Sequence, residues 1–441
     1  MNRSSQSLKS SNKSIDHHPH NRFPLPVTLL FMLVASILLG YLLLVLAYML
    51  PTKSMYAHIE ASLPMYNQEG QYPDVIYGNP ATGLDNWTDT LMLGAATYQS
   101  ERPAMDALLV PRIKYGPLEP LDNLNQIVSH RGSEEGGTLS YYPRYWHGYL
   151  ILLKPLIALF TPSQIRIGNT VMQFLLSAIT MFLLFKQIGL QQALAFFAVL
   201  SVINPMTTGK AFQYSSIFYI SMLSIIYILT KGKNLMEGNR VMIFFFMIGI
   251  LTAYFDLLTY PIASLGLPLL TFLTLKGHEE APDQKKLKDM LLTMLTLSAI
   301  WALGYATMWS AKWVLATIFT DENVFTDALN QAVFRMNGQI TKKEMTNMGA
   351  VAITRNLELL LHTPVLVELG LFILALTVLH MQRKEKIKVP ALYILLPLLL
   401  IALYPIIWDG ILKNHSLIHY WMTYQNLSML TFSLFLLIAE V

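Results

Sequence analysis

The chain has no cysteine at all. That excludes disulfide staples, thiolate nucleophiles and Cys-ligated metals, and it leaves the redox compartment open. Charge is scarce as well. Only 13% of the 441 residues are Asp, Glu, Lys or Arg, against roughly 25% in a soluble domain. There is no Walker motif and no Gly-rich phosphate loop, so nothing points to a nucleotide. No internal repeat of the kind built into many secondary transporters is visible. The chain is instead 54% hydrophobic, in runs that recur from end to end. That pattern is the mark of an all-α polytopic membrane protein. The net charge of +4 comes mostly from short basic loops and gives no reason to invoke nucleic acid.

The first 25 residues are polar, Ser-rich and basic, and read as a disordered cytoplasmic tail. The "HHPH" within it reads as solvated rather than as a metal site. The rest, 26–441, reads as a single transmembrane domain. Its first apolar run, 27–50, is too long for a signal-peptide core and is expected to be an uncleaved span. A polar segment follows at 51–146, expected to carry juxtamembrane helices. Nine further spans are expected at about 164–185, 189–204, 211–229, 241–255, 257–275, 290–318, 364–380, 391–408 and 423–440, making about ten. The run at 148–160 is broken by Lys154-Pro155 and is shorter than the roughly 20 residues a spanning helix needs. If it lies at the interface, the tail and the basic segments at 231–240, 276–288 and 383–388 all fall on one side. By the positive-inside rule that side is the cytoplasm. If it crosses, those three segments move outside. The first arrangement is the better fit. It faces outward the 51–146 loop, an amphipathic loop at 319–362, the junction at residue 256 and the 409–421 segment.

Four outward-facing strings hold chemistry-bearing residues. "GLDNWTDTLML" places Asp85 and Asp89 four apart, on one face if both are helical. Asp85 suits an N-cap and Asp89 a first turn; either also suits a general base. "YYPRYWHGYLILLKPL" sets Arg144, Trp146 and His147 among aromatics. It reads as a belt with snorkelling cations, or as a pocket binding phosphate and stacking on sugar. Asp256 lies between two apolar runs with almost no loop around it. That marks it as functional, with a hairpin cap as the plainer role. "WDGILKNHSLIHYWMTY" carries Asp409, Lys413 and a His415/His419 pair on one helix face. Without a zincin Glu or an obvious third ligand, the pair suits phosphate recognition or proton handling better than metal. Arg335 and Arg355 in the 319–362 loop are further phosphate candidates.

A long outer loop with acids directly after the first span resembles the GT-C superfamily, polytopic glycosyltransferases that use polyprenyl-phosphate-linked sugars. The likeness strengthens at "DNWTD", "RYWHGYLILLKPL", "YFDLLTYP" and "NHSLIHYWMTY", which resemble motifs of bacterial, mainly Gram-positive, GT-C-like proteins. The resemblance implies an enzyme of the bacterial cytoplasmic membrane, N-terminus inside and active site outside. It would move a sugar from a lipid-linked donor to a glycan or lipid-linked acceptor, such as a wall polysaccharide or teichoic acid. It implies Asp85, then Asp89, as the catalytic acid, and Arg144 and His147 at the donor phosphate or acceptor. Trp146, Asp256, Lys413, His415 and His419 would belong to the same site, and a divalent cation (Mg or Mn) could assist. Many members of the superfamily carry adjacent acids close behind the first span. Here the acids are about 35 residues on and three apart. A flippase of lipid-linked saccharide, an O-antigen polymerase or ligase, and a non-catalytic assembly protein are the competing functions.

Overall fold

The computed structural model describes residues 23–279, 285–337, 339–341, 343–344, 347–383 and 390–440. The tail with its "HHPH", and residues 280–284 and 384–388 of two basic segments, lie outside them. The described chain is almost wholly helical. Seven helices are long and apolar enough to cross a membrane: Leu25–Tyr48, Pro162–Gln187, Phe212–Leu235, Lys286–Phe319, Val365–Gln382, Leu392–Ile411 and Tyr420–Ala439. Each coincides with an expected span. The other three expected spans fall on shorter helices of 14, 16 and 17 residues, Leu190–Ile203, Arg240–Phe255 and Ala263–Glu279. The run at 148–160 forms a ten-residue helix, Leu150–Leu159, with Pro155 inside it.

Packing between these helices follows from small residues and buried aromatics. Arg240–Phe255 and the long helix ending at Phe319 touch backbone to backbone. A Cβ added at Gly249 would lie 2.2 Å from the Trp301 carbonyl oxygen, and one at Gly304 would lie 2.3 Å from the Phe246 carbonyl oxygen. Such close approach is how helices gain contact in lipid, where burying apolar surface gives little drive. The Tyr420–Ala439 helix is the most enclosed of the seven. It packs among Phe196, Phe372 and Leu398 in the largest apolar core.

The 51–146 segment is a folded cap rather than a loose loop. It holds the helices Lys53–Glu60, Leu63–Glu69, Asn86–Ala96, Pro103–Leu109 and Pro120–Ser129. A two-stranded antiparallel ribbon, Pro111–Lys114 with Thr138–Tyr141, completes it. Pro at the first helical position opens two of these helices, where its missing N–H is no loss. Buried lysines seat the cap on the bundle. Lys154 donates from Nζ to the Ala96 and Tyr98 carbonyls at 2.7 and 3.2 Å. Lys312 donates to the Ala107 carbonyl at 2.8 Å. Both cations thus satisfy carbonyls left open at helix C-termini, where positive charge is favoured.

Two ends are distinguished. At one, Lys276 pairs with Asp289 at 2.6 Å and His278 meets Glu440 at 3.0 Å. The Tyr420–Ala439 helix runs from there to His419 at the other end, and Arg240–Phe255 runs from Arg240 to Asp256. The cap, Asp256 and the histidine pair therefore share the end opposite the 276–289 basic segment. Amphipathic helices Val324–Met336 and Met348–Leu361 form in the 319–362 loop, as expected.

Candidate functional site

At the cap end, a cavity of about 210 Å³ lies between the cap and the bundle. Its wall includes Asp85, Arg112, Tyr142, His147, Gln213, Arg335, His415 and His419, from segments more than 300 residues apart in the chain. Five of the residues expected at a site, Asp85, His147, Arg335, His415 and His419, are brought together here.

Asp85 is the N-cap of Asn86–Ala96. Its backbone is non-helical (φ −116°, ψ 71°), and its carboxylate accepts from the Thr88 N–H at 2.9 Å and the Thr88 hydroxyl at 3.0 Å. Asp89 lies inside the helix and turns elsewhere. The two acids therefore do not share a face. Asp89 accepts from the backbone N–H groups of Phe212 and Gln213, and it lies 3.6 Å from Arg166. Arg166 also bonds Glu69 at 2.8 Å and Asn86 at 2.6 Å. This buried network ties the cap to Pro162–Gln187 and keeps Asp89 out of the cavity lining. Burial pushes the Asp89 carboxyl up to about 7 against the pull of Arg166 and the backbone N–H groups. Burial also raises Asp85, opposed by its Thr88 bonds and by the neighbouring side chains of Gln213 and Trp421. Those two side chains favour the charge without closing bonds to it. Gln213 Nε2 and Trp421 Nε1 are buried donors with no partner among the described residues.

The three histidines differ in what they have left to give. His147, at φ +58°, points Nε2 at the Tyr142 carbonyl (2.8 Å) and Nδ1 at the Tyr149 hydroxyl (3.0 Å). The carbonyl can only accept, so Nε2 carries the proton and Nδ1 accepts. Burial, with Lys312 nearby, pushes this imidazole down to about 3, so it is neutral and fully bonded. His415 is held the same way: Nε2 donates to the Leu258 carbonyl at 2.8 Å and Nδ1 accepts from Arg335. The His419 ring lies 4.8 Å from that of His415, tilted by 51°. Its Nδ1 is buried and has no partner among the described residues. Burial and the Arg335 charge push it down to about 4. It is the one histidine of the three with an open nitrogen.

Arg335 also donates to the Tyr145 hydroxyl at 3.1 Å. Arg112 lies over the Tyr142 ring at 5.6 Å. Neither guanidinium has a carboxylate partner among the described residues. The cavity wall therefore carries two guanidiniums against one carboxylate. Half-buried positive charge without a carboxylate partner suits an anionic ligand. The donor set does not suit Mg or Mn, which need several oxygens around the ion. Asp85 is the sole carboxylate in the wall, its oxygens already accept from Thr88, and the same wall carries two guanidiniums. Among the described residues no cluster of three or more His, Asp or Glu exists.

The remaining expected residues lie around the cavity rather than in its wall. Asp256 is buried, and its oxygens accept from the Thr259 N–H and hydroxyl. That turn holds Leu258 at φ +68° and so presents the carbonyl that fixes His415. Burial raises Asp256 to about 6. Trp146 is fully buried, with its indole N–H on the Met308 carbonyl at 2.7 Å. Lys413 is half-exposed and does not line the cavity. Arg144 lines a second, outer pocket and pairs with Asp327 at 3.5 Å. Arg355 lies over the Tyr420 ring at 4.9 Å. Arg112 and Gln213 belong to no motif and were not expected; one sits on a four-residue strand and the other in an apolar helix. The chain matches no family model, no curated protein and no solved structure.

Proposed function

We propose that the chain is a GT-C-type membrane glycosyltransferase, moving a sugar from a polyprenyl-phosphate donor to a glycan or lipid-linked acceptor outside a bacterial cell. The reading rests on one observation. A single desolvated carboxylate, Asp85, faces a cavity that also holds two guanidiniums without a carboxylate partner, Arg112 and Arg335. That is the division of labour the reaction needs. Asp85 takes the proton of an acceptor hydroxyl as its oxygen attacks the anomeric carbon. The bond between that carbon and the phosphate oxygen breaks, and the electron pair leaves on the lipid phosphate. Arg112 and Arg335 stabilise the charge developing there. Gln213 and His419, both in the cavity wall, offer open hydrogen-bonding atoms to the sugar. With the basic segments inside, the cavity opens on the outer face. The bilayer then delivers the donor laterally, already flipped.

The test is Asp85→Asn, with cell-surface glycan composition and undecaprenyl phosphate binding both measured. The expected result is loss of the glycan product with binding retained. Normal product would remove Asp85 as the base. A wild-type protein that fails to bind undecaprenyl phosphate, and whose deletion leaves surface glycan unchanged, would remove the transferase reading altogether. Export of intact lipid-linked sugar by the Asp85→Asn variant would favour a flippase.

A further inference from the structure

The outer pocket differs from the cavity in sign. It holds about 260 Å³ and is broadly open to solvent. One wall is Tyr141, Tyr142 and Arg144, at the end of the cap ribbon; the other is Glu322, Asn323 and Asp327, at the start of Val324–Met336. Two carboxylates face one guanidinium here, so a phosphate would be repelled. Arg144 stands among them, paired with Asp327 at 3.5 Å, so a bare cation is poorly served too. Aromatic faces, carboxylate acceptors and a planar donor together suit a neutral polyhydroxylated ligand. Carboxylates accept from its hydroxyls, the guanidinium donates to its oxygens, and the Tyr141 ring is left to meet its C–H faces. Tyr142 lines both chambers. Arg112 from the inner one and Arg144 from the outer one both lie over its ring, at 5.6 and 5.2 Å.

We propose that the Arg144 pocket is the acceptor subsite. It would hold the hydroxyl-bearing end of a neutral saccharide and direct that end past Tyr142 to Asp85. The proposal rests on the transferase reading and adds to it the class of acceptor and its route. An open pocket of this size takes one end of a chain and leaves the rest in solvent.

The experiment compares wild type with the isosteric double variant Glu322→Gln/Asp327→Asn in whole cells and as purified full-length protein in lipid nanodiscs. Undecaprenyl phosphate is the probe for the inner chamber. Surface glycan and extractable lipid-linked sugar are measured by mass spectrometry. The expected outcome is at least a tenfold fall in surface product, accumulation of the lipid-linked sugar, and binding of undecaprenyl phosphate within twofold of wild type. Unchanged product would overturn the proposal. So would a variant that loses undecaprenyl phosphate binding along with product, because the pocket would then belong to the donor site or to the fold. Arg335→Gln, run in parallel, should weaken undecaprenyl phosphate binding about 10- to 100-fold. If wild type itself binds none and its deletion alters no glycan, the transferase reading fails and the acceptor assignment falls with it, an outcome distinct from failure of the outer pocket alone.

Discussion

The inner cavity and the outer pocket share Tyr142 and little else. The inner one lies beneath the cap, carries two half-buried guanidiniums and the one carboxylate of Asp85, and leaves buried polar atoms on Gln213 and His419 without partners among the described residues. The outer one is open, carries Glu322 and Asp327 against Arg144, and its ion pair is closed. Burial decides how much each charge matters. An exposed pair contributes about 0–1 kcal/mol, so the Arg144–Asp327 bond can open for a ligand at little cost. A half-buried guanidinium with no carboxylate partner beneath a cap is better served by an anion. On the proposed function, the contrast would separate selection by charge, inside, from selection by shape and hydroxyl pattern, outside.

The largest expected effect tests the inner chamber's chemistry. Asp85→Asn should cut product formation by about 10²- to 10⁴-fold, the usual range for loss of a general base, with little change in undecaprenyl phosphate binding. Equal losses in both measurements would make Asp85 a binding group. Asp89→Asn should act on the fold instead. Arg166 keeps Glu69 in the variant, so the loss is that of buried hydrogen bonding, about 1–3 kcal/mol, and a drop in the thermal unfolding temperature of the purified protein is expected. Asp89 touches Arg166 and the Phe212 N–H rather than the cavity. A stable Asp89→Asn protein that has lost product would therefore reverse the roles given to the two acids. Arg335→Gln comes next. Charge-assisted bonds are worth about 1.5–3 kcal/mol, so affinity for undecaprenyl phosphate should fall about 10- to 100-fold, and the remaining binding should depend less on salt. An unchanged salt dependence would place the phosphate elsewhere.

Much of the frame was legible in the sequence, and the reasons are physical. Apolar runs marked all seven long helices, because a span must be apolar along some 20 residues. The three shorter helices were counted alike, since hydropathy does not register where a helix begins. Asp85, His147, His415 and His419 were found because polar residues beside spans are rare. The split between Asp85 and Asp89 was not legible. A spacing of four gives a shared face only within a helix, and Asp85 stands one residue outside it. Arg112 and Gln213 were missed because their meaning lies in contacts across the fold. Arg112 reaches the cavity from the Pro111–Lys114 strand, and Gln213 reaches it from the first turn of Phe212–Leu235.

The smallest expected effect concerns Asp256, which shapes the inner chamber without lining it. Its carboxyl is raised from 3.8 to about 6 by burial. Between those values the folded protein binds a proton that the unfolded chain releases, so acid favours folding there. The stabilisation is complete below the unfolded value and is lost as pH rises through about 6. Asp256→Asn removes this titration and keeps an oxygen for Thr259. The unfolding temperature of the variant minus that of wild type should therefore rise between pH 5 and pH 7.5, read by calorimetry in detergent. A flat difference would mean that Asp256 does not titrate in that window. The turn matters to the cavity because it presents the Leu258 carbonyl that takes the His415 Nε2 proton, which leaves His415 Nδ1 to orient Arg335. Loss of undecaprenyl phosphate affinity in a variant that is stable at both pH values would show that this chain of contacts, rather than the fold as a whole, sets the position of the inner guanidinium.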